Sequence, residues 1–162
     1  MSREYAVFLR GVSNVPMEPY RSALAGLGLG EVDSFGASGN FVFSTPQRDS
    51  SSMAQLIGRT VSAEAFVRTR AELSRVIDEN PYRGRAGAAI FLADRRLNDT
   101  DLGRLDVIEF EGARPVASEV GVYFVHPTRR RGLKGIVDFE RELGVRGTMR
   151  AASVIERVFE MM

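Results

Sequence analysis

EYAVFLRGVSNVPMEPYRSALAGLGLGEVDSFGASGNFVFST, residues 4–45, decides the fold. Its opening, residues 4–10, is rich in β-branched and aromatic side chains and reads as a strand, broken by Gly11 and Ser13-Asn14. Pro16 suits a first helical position, and Met17, Tyr20, Leu24 and Leu27 recur at three- and four-residue steps. A helix therefore follows, stopped by Gly28 and Gly30. Residues 32–37 and 41–45 then read as two strands around Ser38-Gly39-Asn40, which is a hairpin signal.

Outward from this stretch, Met53, Leu56 and Ile57 behind Ser50-Ser51-Ser52 indicate a short helix, and residues 65–69 a fourth strand. The order is β-α-β-β-α-β, the ferredoxin-like arrangement with its helices on one sheet face. Thr69 and Glu72 have capping-box spacing, and Leu73, Val76 and Ile77 carry a helix on to Asn80-Pro81. That helix reads as a bridge, followed by a linker at residues 82–87. The expected organisation is a ferredoxin-like lobe with its bridging helix at 1–81 and an α/β lobe at 82–162, with one compact unit as the alternative. In the second lobe, strands are expected at 88–93, 107–111, 114–118 and 121–126, and a helix capped by Asn98. Further helices carry Ile136, Phe139 and Leu143, then Val154, Ile155, Val158, Phe159 and Met162. The fold class is α+β, with the second sheet smaller and mixed.

The 162 residues are enough to build a core without metal or disulfide staples. Zero cysteines exclude disulfides, zinc-thiolate sites and thiol nucleophiles, and with His126 the single histidine any metal would need carboxylate ligands. The first residues lack a secretion pattern and no apolar run approaches a bilayer-spanning length, so a soluble cytoplasmic protein with no membrane partner is expected. Asn98-Asp99-Thr100 accordingly reads as a helix start, not a glycosylation site. The net charge of +1 draws the chain to no polyanion. Of 22 basic residues only Lys134 is a lysine, a bias of the kind a GC-rich genome produces, which weakens arguments from arginine abundance.

Weighed one by one, the motifs name no reaction. Gly26-Leu27-Gly28-Leu29-Gly30 lacks dinucleotide-loop spacing and follows a helix, so it reads as a helix terminus. Gly36-Ala37-Ser38-Gly39-Asn40 misses the nucleophile-elbow pattern at Asn40 and joins two strands. His126 reads as a half-buried histidine at a strand end. Glu109 with Glu111, and Asp138 with Glu142, have spacing for acid/base or magnesium chemistry, but Arg114 and Arg141 make solvated ion pairs the better reading. Arg129-Arg130-Arg131, Gly132 and Lys134 form the densest positive cluster, read as a solvated loop slightly ahead of a phosphate site. Val7-Phe8-Leu9 and Phe41-Val42-Phe43 resemble the aromatic strands of RNA-recognition sheets without their signature offsets. These phenylalanines are expected to pack between the lobes.

Leu9-Arg10-Gly11, Val15-Pro16-Met17, Ser38-Gly39-Asn40 with Val42-Phe43, Asn80-Pro81 and Thr148-x-Arg150 fall in the order of one bacterial family. Nearly end to end, the chain resembles the domain of unknown function 1697 family. The resemblance implies two α/β lobes, the first ferredoxin-like, and no reaction. Departures are a short Val12-Ser13-Asn14 loop in place of a longer glycine-rich one, and Ala151-Ala152-Ser153 where the family carries Asn-Trp-Asn.

The functional expectation is a non-catalytic module that binds an anionic or nucleotide-like small molecule between the lobes, without metal or cofactor. The residues expected to hold it are Arg10, Gly11, Ser38, Gly39, Asn40, Lys134, Thr148 and Arg150. Small turn residues let a ligand approach backbone amides, and the cations neutralise it. The alternatives are a metal-assisted hydrolase or transferase using Glu109 or Asp138, and single-stranded RNA binding on the open sheet face through Phe41. No residue constellation names a nucleophile, so the enzyme reading is the weaker one; the sequence says nothing of oligomeric state.

Overall fold

The computed structural model describes residues 1–108, 110, 114–126 and 138–162. The chain divides into two compact units, one of Met1–Ser74 with Val154–Met162, the other of Arg75–Ser153. The division runs through the helix that follows the fourth strand.

In the first unit the strands are β1 (Arg3–Leu9), β2 (Gly30–Phe35), β3 (Asn40–Thr45) and β4 (Ala65–Thr69), with helices α1 (Glu18–Gly26) and α2 (Ser50–Val61). The sheet order is β2-β3-β1-β4, antiparallel at every pairing, which is the expected ferredoxin-like arrangement. Alternation along β1 sends Tyr5, Val7 and Leu9 to one face, where they meet Phe41 and Phe43 of β3, Val67 of β4, Leu24 of α1, and Met53 and Ile57 of α2. Phe41 and Phe43 thus belong to this unit's own core, which corrects the expectation that they pack between lobes. Helix α2 starts where the Asp49 carboxylate accepts from the Ser51 and Ser52 amides, and it ends at Ser62 in the left-handed region.

Helix α3 (Arg70–Asp78) leaves β4 directly, with the Thr69–Glu72 capping box formed as expected. The second unit then runs β5 (Ala88–Ala93), α4 (Asp99–Asp106), β6 (Val116–Ser118), β7 (Gly121–Val125), α5 (Phe139–Leu143) and β8 (Gly147–Ala151), and α6 (Ala152–Met161) follows at once. Its order is β6-β7-β5-β8, again antiparallel throughout, where mixed pairing was expected. Counted within each unit, both sheets run second, third, first, fourth strand, so the two are threaded alike. Ala89, Phe91 and Ala93 of β5 and Val122 and Phe124 of β7 pack on Leu105 of α4 and on Phe139 and Leu143 of α5.

Two expectations fail here. The strand at 107–111 does not begin at Val107, which closes α4 as its C-cap; the capping box between Asn98 and Asp101 nucleates a helix that runs to that point. Glu109 and Glu111 lie outside the described residues. Strand β8 was not expected at all.

On the β7 face opposite α4 and α5, Tyr123 is fully buried and its hydroxyl lies 3.4 Å from Ser118 Oγ. Burial pushes its phenol up to about 12. Ser118 also bonds Glu79, which together with Arg75 holds that carboxyl below its ordinary range. Tyr123→Phe should keep the ring packing and lose about 1 kcal/mol of stability, whereas Tyr123→Ala should lose about 3–5 kcal/mol. Urea unfolding of the two variants checks the split; equal losses would mean that the hydroxyl, not the ring, carries the site.

Candidate functional site

The expected site residues of the first unit meet at one corner of its sheet. Chain leaving β1 turns at Arg10, whose amide donates to the Glu64 carbonyl at 2.9 Å, and whose Nη1 donates to Glu64 Oε1 at 3.0 Å. Beside it the Leu9 amide donates to the Gly39 carbonyl at 2.8 Å, which fastens the β2–β3 turn against the end of β1. Gly39 has φ +74°, and a Cβ there would stand 2.7 Å from Leu9 Cβ and 3.3 Å from Val12 Cβ, so glycine is required by both conformation and space. Asn40 is buried and closes the turn by donating Nδ2 to the Phe35 carbonyl at 3.1 Å. Gly11, at φ +77°, has open space where a side chain would be.

Arg10, Gly11, Ser38, Gly39 and Asn40 are therefore neighbours. The Leu9 and Arg10 amides beside the turn are bonded within the protein. Glu64, the acid that positions Arg10, was not singled out from the sequence; its one signal is its place just before the strand at 65–69.

In the second unit Thr148 and Arg150 sit two apart on β8 and so share a face. Thr148 is buried, and Arg150 Nη1 donates to Thr148 Oγ1 at 2.7 Å and to the Met149 carbonyl at 2.8 Å. Register places Arg150 opposite Ile90, which in turn lies opposite Tyr123. Burial draws the Arg150 guanidinium down to about 10, by disfavouring its charged form. Lys134, like Arg129, Arg130, Arg131 and Gly132, lies outside the described residues.

The remaining candidates have local roles. Glu142 makes the expected exposed ion pair with Arg141 at 3.1 Å, whereas Asp138 takes a capping role that was not expected, accepting from the Arg141 amide at 3.1 Å at the start of α5. His126 follows β7, half-buried, with its ring 5.3 Å from that of Phe124. Phe41 is fully buried and presents no ring to a base. Among the described residues no group of three or more histidine, aspartate or glutamate side chains is placed to hold a metal, and no helix is long and apolar enough to cross a membrane.

A family model described as "Protein of unknown function (DUF1697)" matches residues 1–123. The match takes in the Arg10 corner and stops before Thr148 and Arg150. No curated protein matches. Among solved structures, the conserved bacterial protein SP0830 from Streptococcus pneumoniae superposes with a TM-score of 0.72 over 99% of each chain at 19% identity, a likeness that shows a shared fold.

Proposed function

Because the chain belongs to the DUF1697 family, whose description carries no activity, we propose from its own residues that it is a non-catalytic module that binds an anionic or nucleotide-like small molecule. The observation that carries this reading is the Arg150 guanidinium, held in orientation by Thr148 Oγ1 and the Met149 carbonyl on a half-buried strand face. Fixing a guanidinium beforehand lowers the entropy lost on binding, and removing its water strengthens a charge-assisted bond to a phosphate or carboxylate. In the first unit, Arg10 at its glycine-lined corner offers an anion contact of its own, a weaker one because Glu64 already balances part of its charge.

The test is thermal unfolding of the purified protein with ADP, ATP, glucose 6-phosphate and inorganic phosphate. At a hundred times its dissociation constant a ligand adds about 2.7 kcal/mol, a rise of several degrees. Arg150→Ala should abolish the rise, Arg150→Lys should restore little of it because a point charge does not reproduce the planar fork, and Arg10→Ala should leave most of it in place. Undiminished binding in the Arg10→Ala, Arg150→Ala double variant would refute the assignment.

A further inference from the structure

We propose that the end of the second sheet is a separate binding site for a small zwitterion, an ammonium beside a carboxylate as in a free α-amino acid. Because the two sheets are threaded alike, the Arg10 corner has a counterpart. There the amide of Asp94, the residue after β5, donates to the carbonyl of Arg146, the residue before β8, at 2.8 Å. It repeats the bond from Arg10 to Glu64 with the charges of the two side chains exchanged. In the first unit the side chains close on each other at 3.0 Å. In the second a cavity of about 570 Å³ lies at the corner, lined by the carboxylates Asp94, Asp138 and Glu140 and the guanidiniums Arg95, Arg141 and Arg146. That volume lies within the range of small-molecule sites.

The lining selects against single charges. A lone cation would meet three guanidiniums and a lone anion three carboxylates, whereas a zwitterion answers both. The orientation follows from which groups are engaged. Arg95 is turned away onto Asp101 through two bonds of 2.6 and 2.9 Å. Glu140 accepts from the Gly147 amide at 2.9 Å and approaches Arg146 at 3.8 Å. The Asp94 carboxylate, in contrast, makes no hydrogen bond or close ion pair among the described residues and feels Arg95 only through space. The ammonium therefore belongs at Asp94, with Asp138 beside it. The carboxylate belongs at Arg146 and Arg141, whose five-donor guanidiniums are both more than half exposed. Buried Val145 gives the floor an apolar patch for the carbon between the two charges.

The experiment is a chemical-shift titration of the ¹⁵N-labelled full chain with L-alanine, and with methylamine and acetate as its two halves. The expected result is a saturable shift at the Asp94, Gly144 and Gly147 amides with L-alanine, and binding at least about tenfold weaker for either half. Asp94→Asn and Arg146→Gln should each weaken L-alanine about tenfold with spectra otherwise folded, and Arg150→Ala should leave it unchanged, which separates this site from the anion site. No saturable shift at about 10 mM L-alanine, methylamine or acetate binding as well as L-alanine, or undiminished binding to Asp94→Asn and Arg146→Gln would each overturn the proposal.

Discussion

Gly147→Ala should lower stability by about 3 kcal/mol, the upper part of the range for overpacking a filled core. Gly147 opens β8 opposite Ala93, and a Cβ at that position would stand 2.2 and 2.5 Å from two atoms of the Phe91 ring and 2.6 Å from the Leu92 carbonyl. The ring cannot simply swing aside, since it packs on Phe139 at a centroid distance of 5.4 Å within the second core. Backbone at Leu92 blocks the other direction. Urea unfolding measures the loss, and a change below about 0.5 kcal/mol would show that β8 sits farther from β5 than described. A Phe91→Leu substitution should rescue part of it: the double variant should be more stable than the sum of the two single losses, because the smaller side chain leaves room for the added methyl.

Asp101→Asn is the second large effect expected, about 2 kcal/mol. The Asp101 side chain is only 3% exposed, and both its oxygens are occupied, Oδ2 by Arg95 at 2.6 Å and the Asn98 amide at 2.8 Å, Oδ1 by Arg95 at 2.9 Å. An amide there turns one acceptor into a donor: even with its oxygen kept on the Asn98 amide, its NH2 group faces the Arg95 guanidinium, and the charge that Arg95 pairs with is lost. The same geometry sets a pH dependence. Arg95 foremost, with the Asn98 amide, holds the Asp101 carboxyl below its ordinary range. A carboxyl depressed by folding contributes stability that is complete well above its unfolded value of about 3.9 and is lost as pH falls toward its folded value. The wild-type protein should therefore lose stability below about pH 4 more steeply than Asp101→Asn, measured by thermal midpoints across acid pH. Parallel curves for the two proteins would assign the acid sensitivity to other carboxylates.

The first sheet is legible in the sequence because each of its strands is a β-branched or aromatic run bounded by glycine or polar turn residues. Strand β8 is not, since Gly-Thr-Met-Arg-Ala has one β-branched residue and is extended through its pairing with β5. Val107 shows the reverse case, a residue of high strand propensity that caps a helix nucleated nine residues earlier at Asn98. At the corner of the first sheet, the neighbourhood of Arg10 and Ser38-Gly39-Asn40 can be anticipated from a strand end and a hairpin turn. The Arg10–Glu64 pair cannot, because its members are 54 positions apart and meet only through the β1–β4 pairing. Periodicity likewise marks Phe41 and Phe43 as alternating without telling which face is covered, and the helices above Tyr5 and Val7 decide it.

The first unit is assembled from Met1–Ser74 and from Val154–Met162, with all of the second unit encoded between them. During synthesis at roughly 5–20 residues per second, the ribosome therefore makes β5, β6 and β7 of the second unit some seconds before the segment that completes the first. Ile155 and Val158, fully buried in the finished protein, reach the first unit only then, along with Phe159, which stacks beneath Arg70. The half of the molecule that is translated first is thus the half that finishes folding last.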